Sequence, residues 1–288
     1  MKYAISYNPK IKDYSQADEI ILAYQNHIID IVNKYIKPEQ KVIINIPEYG
    51  EDKLEDLLVI KEKYNNLLVQ FSINDNEEWI QYMKDAGIPF MFSDFARTRA
   101  EIDCMCKAGA AEVYVVEDLG FALKELQFYR KKYNVKFRVF PDIAQYPKGM
   151  SKYVPAILKF FIRPEDTDLY EEYVDTFEIF RNDDRASVVL SIYKQKQWLG
   201  NLNMLIIGFK DELDNTTIAP HFGQIRLNCN KMCLEDKCFI CPEITKLAEG
   251  FKKANLEIVR KRYKSLNDMT EEEKEKIMSL LDKEDKEV

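Results

Sequence analysis

The sequence predicts a closed (β/α)8 barrel of the TIM-like type, followed by an irregular, cysteine-rich C-terminal extension. Three observations predict it. Short β-branched and aromatic runs alternate with amphipathic runs of helical period. Eight such apolar runs occur, joined by mostly helical crossovers. The rhythm stops near Trp198; an apolar stretch, Leu202–Phe209, a polar, turn-rich stretch, Asn215–Cys241, and a helix over Pro242–Asn255 are expected after it. An open doubly wound sheet would give the same alternation, and the count of eight favours closure. On this reading residues 1–200 form the barrel and residues 201–288 the extension.

Each unit has its own signals. The first strand is Lys2–Tyr7, and a helix is expected from about Ser15 to Ile36. Ile20, Ile21, Tyr24, Ile28, Ile31, Val32 and Tyr35 recur there at helical spacing, with Ser15 and Asp18 as a capping box and Pro38 past the end. Strands are then expected at Val42–Ile46, Leu67–Ile73, Phe90–Ser93, Glu112–Glu117 and Lys136–Phe140. Their helices are Leu54–Tyr64, Glu77–Ala86, Thr98–Ala108 and Ala122–Tyr133, the second and third closed by Gly87 and Gly109. Leu158–Ile162 is expected as the seventh strand after an irregular, proline-containing connection. Phe177–Phe180 is the eighth, and a helix follows over Arg185–Trp198.

Composition narrows the function classes. Net charge is −7 with 32% charged residues, so the chain offers no overall basic stripe for phosphate contacts, and DNA is not an expected partner. No apolar stretch approaches the roughly 20 residues that span a bilayer, and the N-terminus lacks the pattern of a signal peptide. The expected setting is therefore cytoplasmic, where six cysteines point to metal or redox chemistry ahead of disulfides.

Four of the six stand together, Cys229, Cys233, Cys238 and Cys241, spaced C-x3-C-x4-C-x2-C. Thiolates are soft ligands, and four of them complete either a zinc site or a 4Fe-4S cluster. The polar residues between them are unlike the surroundings of a core cysteine. Spacing alone leaves zinc and iron–sulfur both open. Cys104 and Cys106 sit on a helix and read as structural.

In a β/α barrel the reactive groups gather at the C-terminal ends of strands. Glu117, Asp142 and Glu165 stand there as candidate catalytic carboxylates, and Arg163 and Arg181 as a candidate substrate-binding pair. Asp94, Asp118 and Asp183 or Asp184 also stand at the mouth, each just before a helix, where the competing reading makes them N-caps or dipole partners. The same reading makes the arginines partners of Glu165 and Asp183. With only His27 and His221 in the chain, a Ser-His-Asp or Cys-His system has little support.

Two segments resemble the collagenase-like, U-type peptidase family, whose thirty-second division comprises β/α barrels. One runs from Ala108-Gly109-Ala110-Ala111-Glu112 through Val113-Tyr114-Val115-Val116-Glu117 to Asp118-Leu119-Gly120. It is similar to the family's "GAD" turn and the strand ending in "DLG". The other is Val174-Asp175-Thr176-Phe177-Glu178-Ile179-Phe180-Arg181, leading to Tyr193. It resembles the family's "VDS-K-IEGR" strand and the helix after it. The family's HGA-C-YSG-C segment has no counterpart here, which makes the chain a divergent relative. The resemblance implies a barrel that supports iron–sulfur-dependent modification, such as hydroxylation, of RNA or a small molecule. A non-catalytic binding or assembly scaffold with a structural zinc and a protein partner is the alternative, and a peptidase is the weaker one.

Overall fold

The structure is a computed structural model that describes residues 1–48, 50–75, 77–96, 98–115, 124–142, 161–181, 183–206, 215–218, 220 and 222–227. Eight parallel strands close on themselves in chain order: β1 (Lys2–Ser6), β2 (Glu19–Ala23), β3 (Lys41–Asn45), β4 (Leu67–Phe71), β5 (Phe90–Ala96), β6 (Glu112–Val115), β7 (Lys136–Val139) and β8 (Thr176–Ile179). β8 returns to β1 in the register Lys2 with Thr176 and Ile5 with Ile179, which completes the ring. The barrel expected from the sequence is present.

The crossover helices are α1 (Ile28–Tyr35), α2 (Glu51–Lys63), α3 (Glu77–Asp85), α4 (Arg99–Ala108), α5 (Lys124–Tyr133) and α6 (Ala186–Gln195). Their ends follow local chemistry. Thr98 caps α4 by accepting the Glu101 backbone N–H at 3.2 Å, and Gly109 closes it in the left-handed region at φ 103°. Inward faces such as Leu54, Leu57 and Ile60 of α2, or Val189, Leu190 and Tyr193 of α6, are buried.

Two strand assignments differ from the sequence reading. The helix expected over Ser15–Ile36 is instead strand β2 followed by the shorter helix α1. Glu19-Ile20-Ile21-Leu22-Ala23 is an apolar run too short for its period to decide, and pairing with β1 and β3 decides it. Asp18 does not cap a helix; its Oδ2 accepts the Tyr3 backbone N–H at 2.9 Å and so ties the start of β2 to β1. The second difference is Leu158–Ile162. β7 pairs directly with β8, Arg138 with Thr176 and Val139 with Phe177, leaving no place for a stave between them. Of that segment, Phe161 and Ile162 are described, and they are buried but outside any strand.

By compactness the chain divides into residues 1–142 with 162–198, and residues 143–161 with 199–288. In the second unit the described part contains a 3-10 turn, Leu202–Met204, whose N-cap Asn201 accepts the Asn203 N–H at 3.1 Å. Leu202, Leu205, Ile206 and Ile218 are buried there, and a six-residue helix α7 (Phe222–Leu227) follows. The helix expected over Pro242–Asn255 lies outside the described residues.

The barrel lumen is not simply apolar. Arg138 on β7 is 0% exposed, and its Nη1 lies 2.8 Å from Glu19 Oε2 on β2 and 2.7 Å from Glu112 Oε2 on β6. Its Nε stands 3.4 Å from Glu178 Oε2 on β8. β2 is not a neighbour of β7, so that contact crosses the interior. Lys41 on β3 likewise crosses to pair with Glu112, and lies 3.7 Å from Glu19. Breaking a buried ion pair by removing one partner strands the other charges. Arg138→Leu is expected to lower unfolding free energy by roughly 3–5 kcal/mol, measured by urea denaturation. Adding Glu19→Gln and Glu112→Gln to that variant is expected to recover a large part of the loss.

Candidate functional site

The C-terminal mouth of the barrel is lined from the lumen outward by aromatic rings. Tyr114, third residue of β6, is fully enclosed, and its ring stacks on Phe140 with centroids 5.2 Å apart and planes at 9°. Phe95, late in β5, packs on both at 5.6 and 5.5 Å. A register shift between Met91 and Phe95 lets β5 bring that ring inward. Phe180, just past β8, meets Phe140 edge-on at 5.2 Å and is 49% exposed. The ladder thus starts in the core and ends in a ring open to solvent. Below it the Tyr114 hydroxyl donates to Glu178 at 2.6 Å and accepts from Gln70 Nε2 at 3.4 Å.

Asp142 follows β7 and is completely buried. Its Oδ1 accepts the Phe180 N–H at 2.9 Å, and its Oδ2 lies 3.4 Å from the Arg181 N–H. It therefore fixes the backbone on which the exposed ring is mounted. Burial pushes its pKa up to about 7, against the lowering effect of those N–H groups and of the Arg181 guanidinium. Arg181 itself is buried and its Nη1 reaches Asp183 at 3.3 Å.

The other candidates are placed apart from this ladder by their own pairings. Arg163, which precedes the 3-10 turn Pro164–Tyr170, grips Asp166 of that turn in a two-pronged bridge, Nε to Oδ2 at 2.6 Å and Nη2 to Oδ1 at 2.9 Å. Glu165 accepts the Trp198 N–H at 2.7 Å. Both contacts anchor chain segments, and the Arg163–Arg181 pair expected from sequence is divided between two acidic partners. Asp94 accepts the Ile73 N–H at 2.6 Å and so holds the end of β4, while the cap of α4 is Thr98. Tyr193, which ends the second resemblance segment, is buried and donates to the Ile162 carbonyl at 2.8 Å. Glu117 and the cysteines Cys229, Cys233, Cys238 and Cys241 lie outside the described residues. Among the described residues no group of three His, Cys, Asp or Glu side chains is arranged to hold a metal ion. Among them, too, no helix is long and apolar enough to cross a membrane.

Sequence reasoning missed the lumen residues Glu19, Lys41, Glu112, Arg138 and Glu178 and the ladder residues Phe95, Phe140 and Phe180. A signal existed. Glu112 with Tyr114, Arg138 with Phe140, and Glu178 with Phe180 each sit two apart, the period that points side chains to one face of a strand.

A titration checks the role given to Asp142. Its pKa rises from about 3.9 in an unfolded chain to about 7 in the fold. Its contribution to stability is therefore full below the unfolded value and is lost as pH rises through the folded one. Asp142→Asn is expected to remove that loss, so the Tm of the wild type falls relative to the variant between about pH 5 and pH 8. Calorimetry of both proteins across that range measures it, and parallel curves would count against a raised Asp142.

A scan against protein-family models gives no match for this chain, and neither does a comparison with curated protein sequences.

Proposed function

We propose that the chain is a cytoplasmic barrel enzyme, or enzyme subunit, that receives an uncharged planar ring at its C-terminal mouth. The ring belongs to a small molecule or to an exposed base of RNA, and the chemistry is a modification such as hydroxylation. The observation that carries this reading is the half-exposed Phe180 at the end of the Phe95–Tyr114–Phe140 ladder. Exposed aromatic faces mounted on rigid elements are stacking surfaces for flat ligands. The C-terminal ends of barrel strands are also where such folds carry their chemistry. Among the described residues, Arg163 and Arg181 are paired with Asp166 and Asp183, which favours a neutral ligand.

The four cysteines Cys229, Cys233, Cys238 and Cys241 form a soft donor set that fits an iron–sulfur cluster or zinc. An iron–sulfur cluster would supply electron transfer, whereas a closed zinc site would tie together the segment that carries the cysteines. The resemblance to collagenase-like peptidases supports the iron–sulfur option. Anaerobic purification with iron and zinc analysis separates the two: a brown protein whose colour and iron are lost in Cys233→Ser is expected. A colourless protein with one zinc per chain would replace the enzyme reading by that of a zinc-tied scaffold, and absence of both metals would remove the metal site.

The mouth has its own test. Saturation-transfer NMR with cytidine, uridine and a naphthoquinone as probes is expected to show contact with at least one ring. Phe180→Ala is expected to weaken that binding about fivefold or more, the loss of roughly 1 kcal/mol or more of stacking. Equal signals from both proteins would overturn the mouth as the binding surface.

A further inference from the structure

Among the described residues the lumen encloses three carboxylates, Glu19, Glu112 and Glu178, against two cations, Arg138 and Lys41. Lys2 stands at the edge, half exposed and 3.8 Å from Glu19. The carboxylates are not held equally. Glu19 and Glu112 share Nη1 of Arg138 at 2.8 and 2.7 Å, and Lys41 lies beside both. Glu178 has Arg138 Nε at 3.4 Å, and its short hydrogen bond comes from a neutral group, the Tyr114 phenol at 2.6 Å. The surplus negative charge therefore falls on Glu178.

The surroundings strand by strand agree with this. Lys2 faces from β1, Glu19 from β2, Lys41 from β3, Glu112 and Tyr114 from β6 and Arg138 from β7, while β4 and β5 offer the neutral Gln70 and Met91. Burial raises the Glu178 pKa above the ordinary carboxyl value, helped by Glu19 and Glu112 and opposed by Arg138 and Tyr114. For Glu112 burial pulls the same way, but Arg138 and Lys41 outweigh it and the pKa falls. A cavity of about 360 Å³ lined by Lys2, Lys41, Glu112 and Lys136 gives solvent a route to this network at the N-terminal ends of the strands.

Tyr114 connects that charge to the mouth. Its hydroxyl is fixed by Glu178 and Gln70, and its ring is the base of the ladder that runs through Phe140 to Phe180. We infer that Glu178 is the position at which the lumen takes up a proton, and that this proton sets the attitude of Tyr114 and of the aromatic ladder at the mouth. With Glu178 ionised, the phenol makes a charge-assisted bond and Arg138 is drawn toward β8. When the carboxylate gains one proton from solvent, that bond becomes a weaker neutral one and Arg138 settles on Glu19 and Glu112. The consequence for a ligand rests on the mouth being its site; the coupling itself needs no ligand.

The test uses the full chain with ¹³C-labelled glutamate carboxyls, titrated by NMR with near-UV circular dichroism in parallel. One glutamate resonance is expected to titrate above the ordinary value of about 4.3, and to vanish in Glu178→Gln. In Tyr114→Phe, which removes a donor to the charged form, its midpoint is expected to move further up. The aromatic dichroism of the wild type is expected to change with the same midpoint and to stay level in Glu178→Gln. No glutamate titrating above the ordinary range, or one unmoved by Tyr114→Phe, overturns the proton site even if Glu178→Gln does not fold. A level dichroism through the transition overturns the coupling. Loss of ring binding with this titration intact would sink the mouth reading alone.

Discussion

Everything inside this barrel is arranged around one guanidinium. Arg138 is fully enclosed and takes carboxylates from β2, β6 and β8, three strands that meet only across the lumen. Removing such a charge from water costs several kcal/mol, and that cost is offset only when its partners arrive together in good geometry. A one-residue slip of β2, β6 or β8 would turn the partner carboxylate out of the lumen. The apolar layer beyond it, Ala4, Ile21, Ile43, Leu68 and Met91, would tolerate several registers. The ion network tolerates one.

The same network divides the lumen into two chemistries. Toward the N-terminal ends of the strands lie Glu19, Lys41 and Glu112, the last two lining a polar cavity. Toward the C-terminal ends lie Phe95, Phe140 and Phe180, with Asp142 holding the backbone of the last ring. Tyr114 belongs to both halves, its hydroxyl to the charges and its ring to the aromatics. An uncharged ring meeting the mouth would touch only the second chemistry.

The barrel was legible in the sequence because most staves are bounded by turn residues and followed by helices of clear period. The exceptions have physical causes. Glu19–Ala23 is five residues long, and its Ile20 and Ile21 also fit the 3.6-residue pattern set by Ile28, Ile31 and Val32. Leu158–Ile162 has strand-like composition, but the ladder between Val139 and Phe177 takes the place it would need. Arg163 and Arg181 were visible as strand-end arginines and Asp183 as the partner of Arg181, but the two-pronged bridge of Arg163 to Asp166 was not foreseen beside the expected Glu165. Nor were the lumen pairs, since Glu19 meets Arg138 across more than a hundred residues of chain and no local pattern records the meeting.

The return of β8 to β1 has a consequence for how the chain is made. Lys2 to Ile5 find half of their hydrogen-bonding partners only when Thr176 to Ile179 exist, so the first stave waits for the last. Until then a growing chain carries two raw sheet edges, at β1 and at its newest strand, with Glu19 and Lys41 on staves that still lack Glu112 and Arg138. Closure of so distant a pair is slow, and exposed edges invite pairing with other chains. Early carboxylates and lysines lining an open sheet make it a poor surface for another chain to cover, so the charges that later fix the lumen also guard it while it is unfinished.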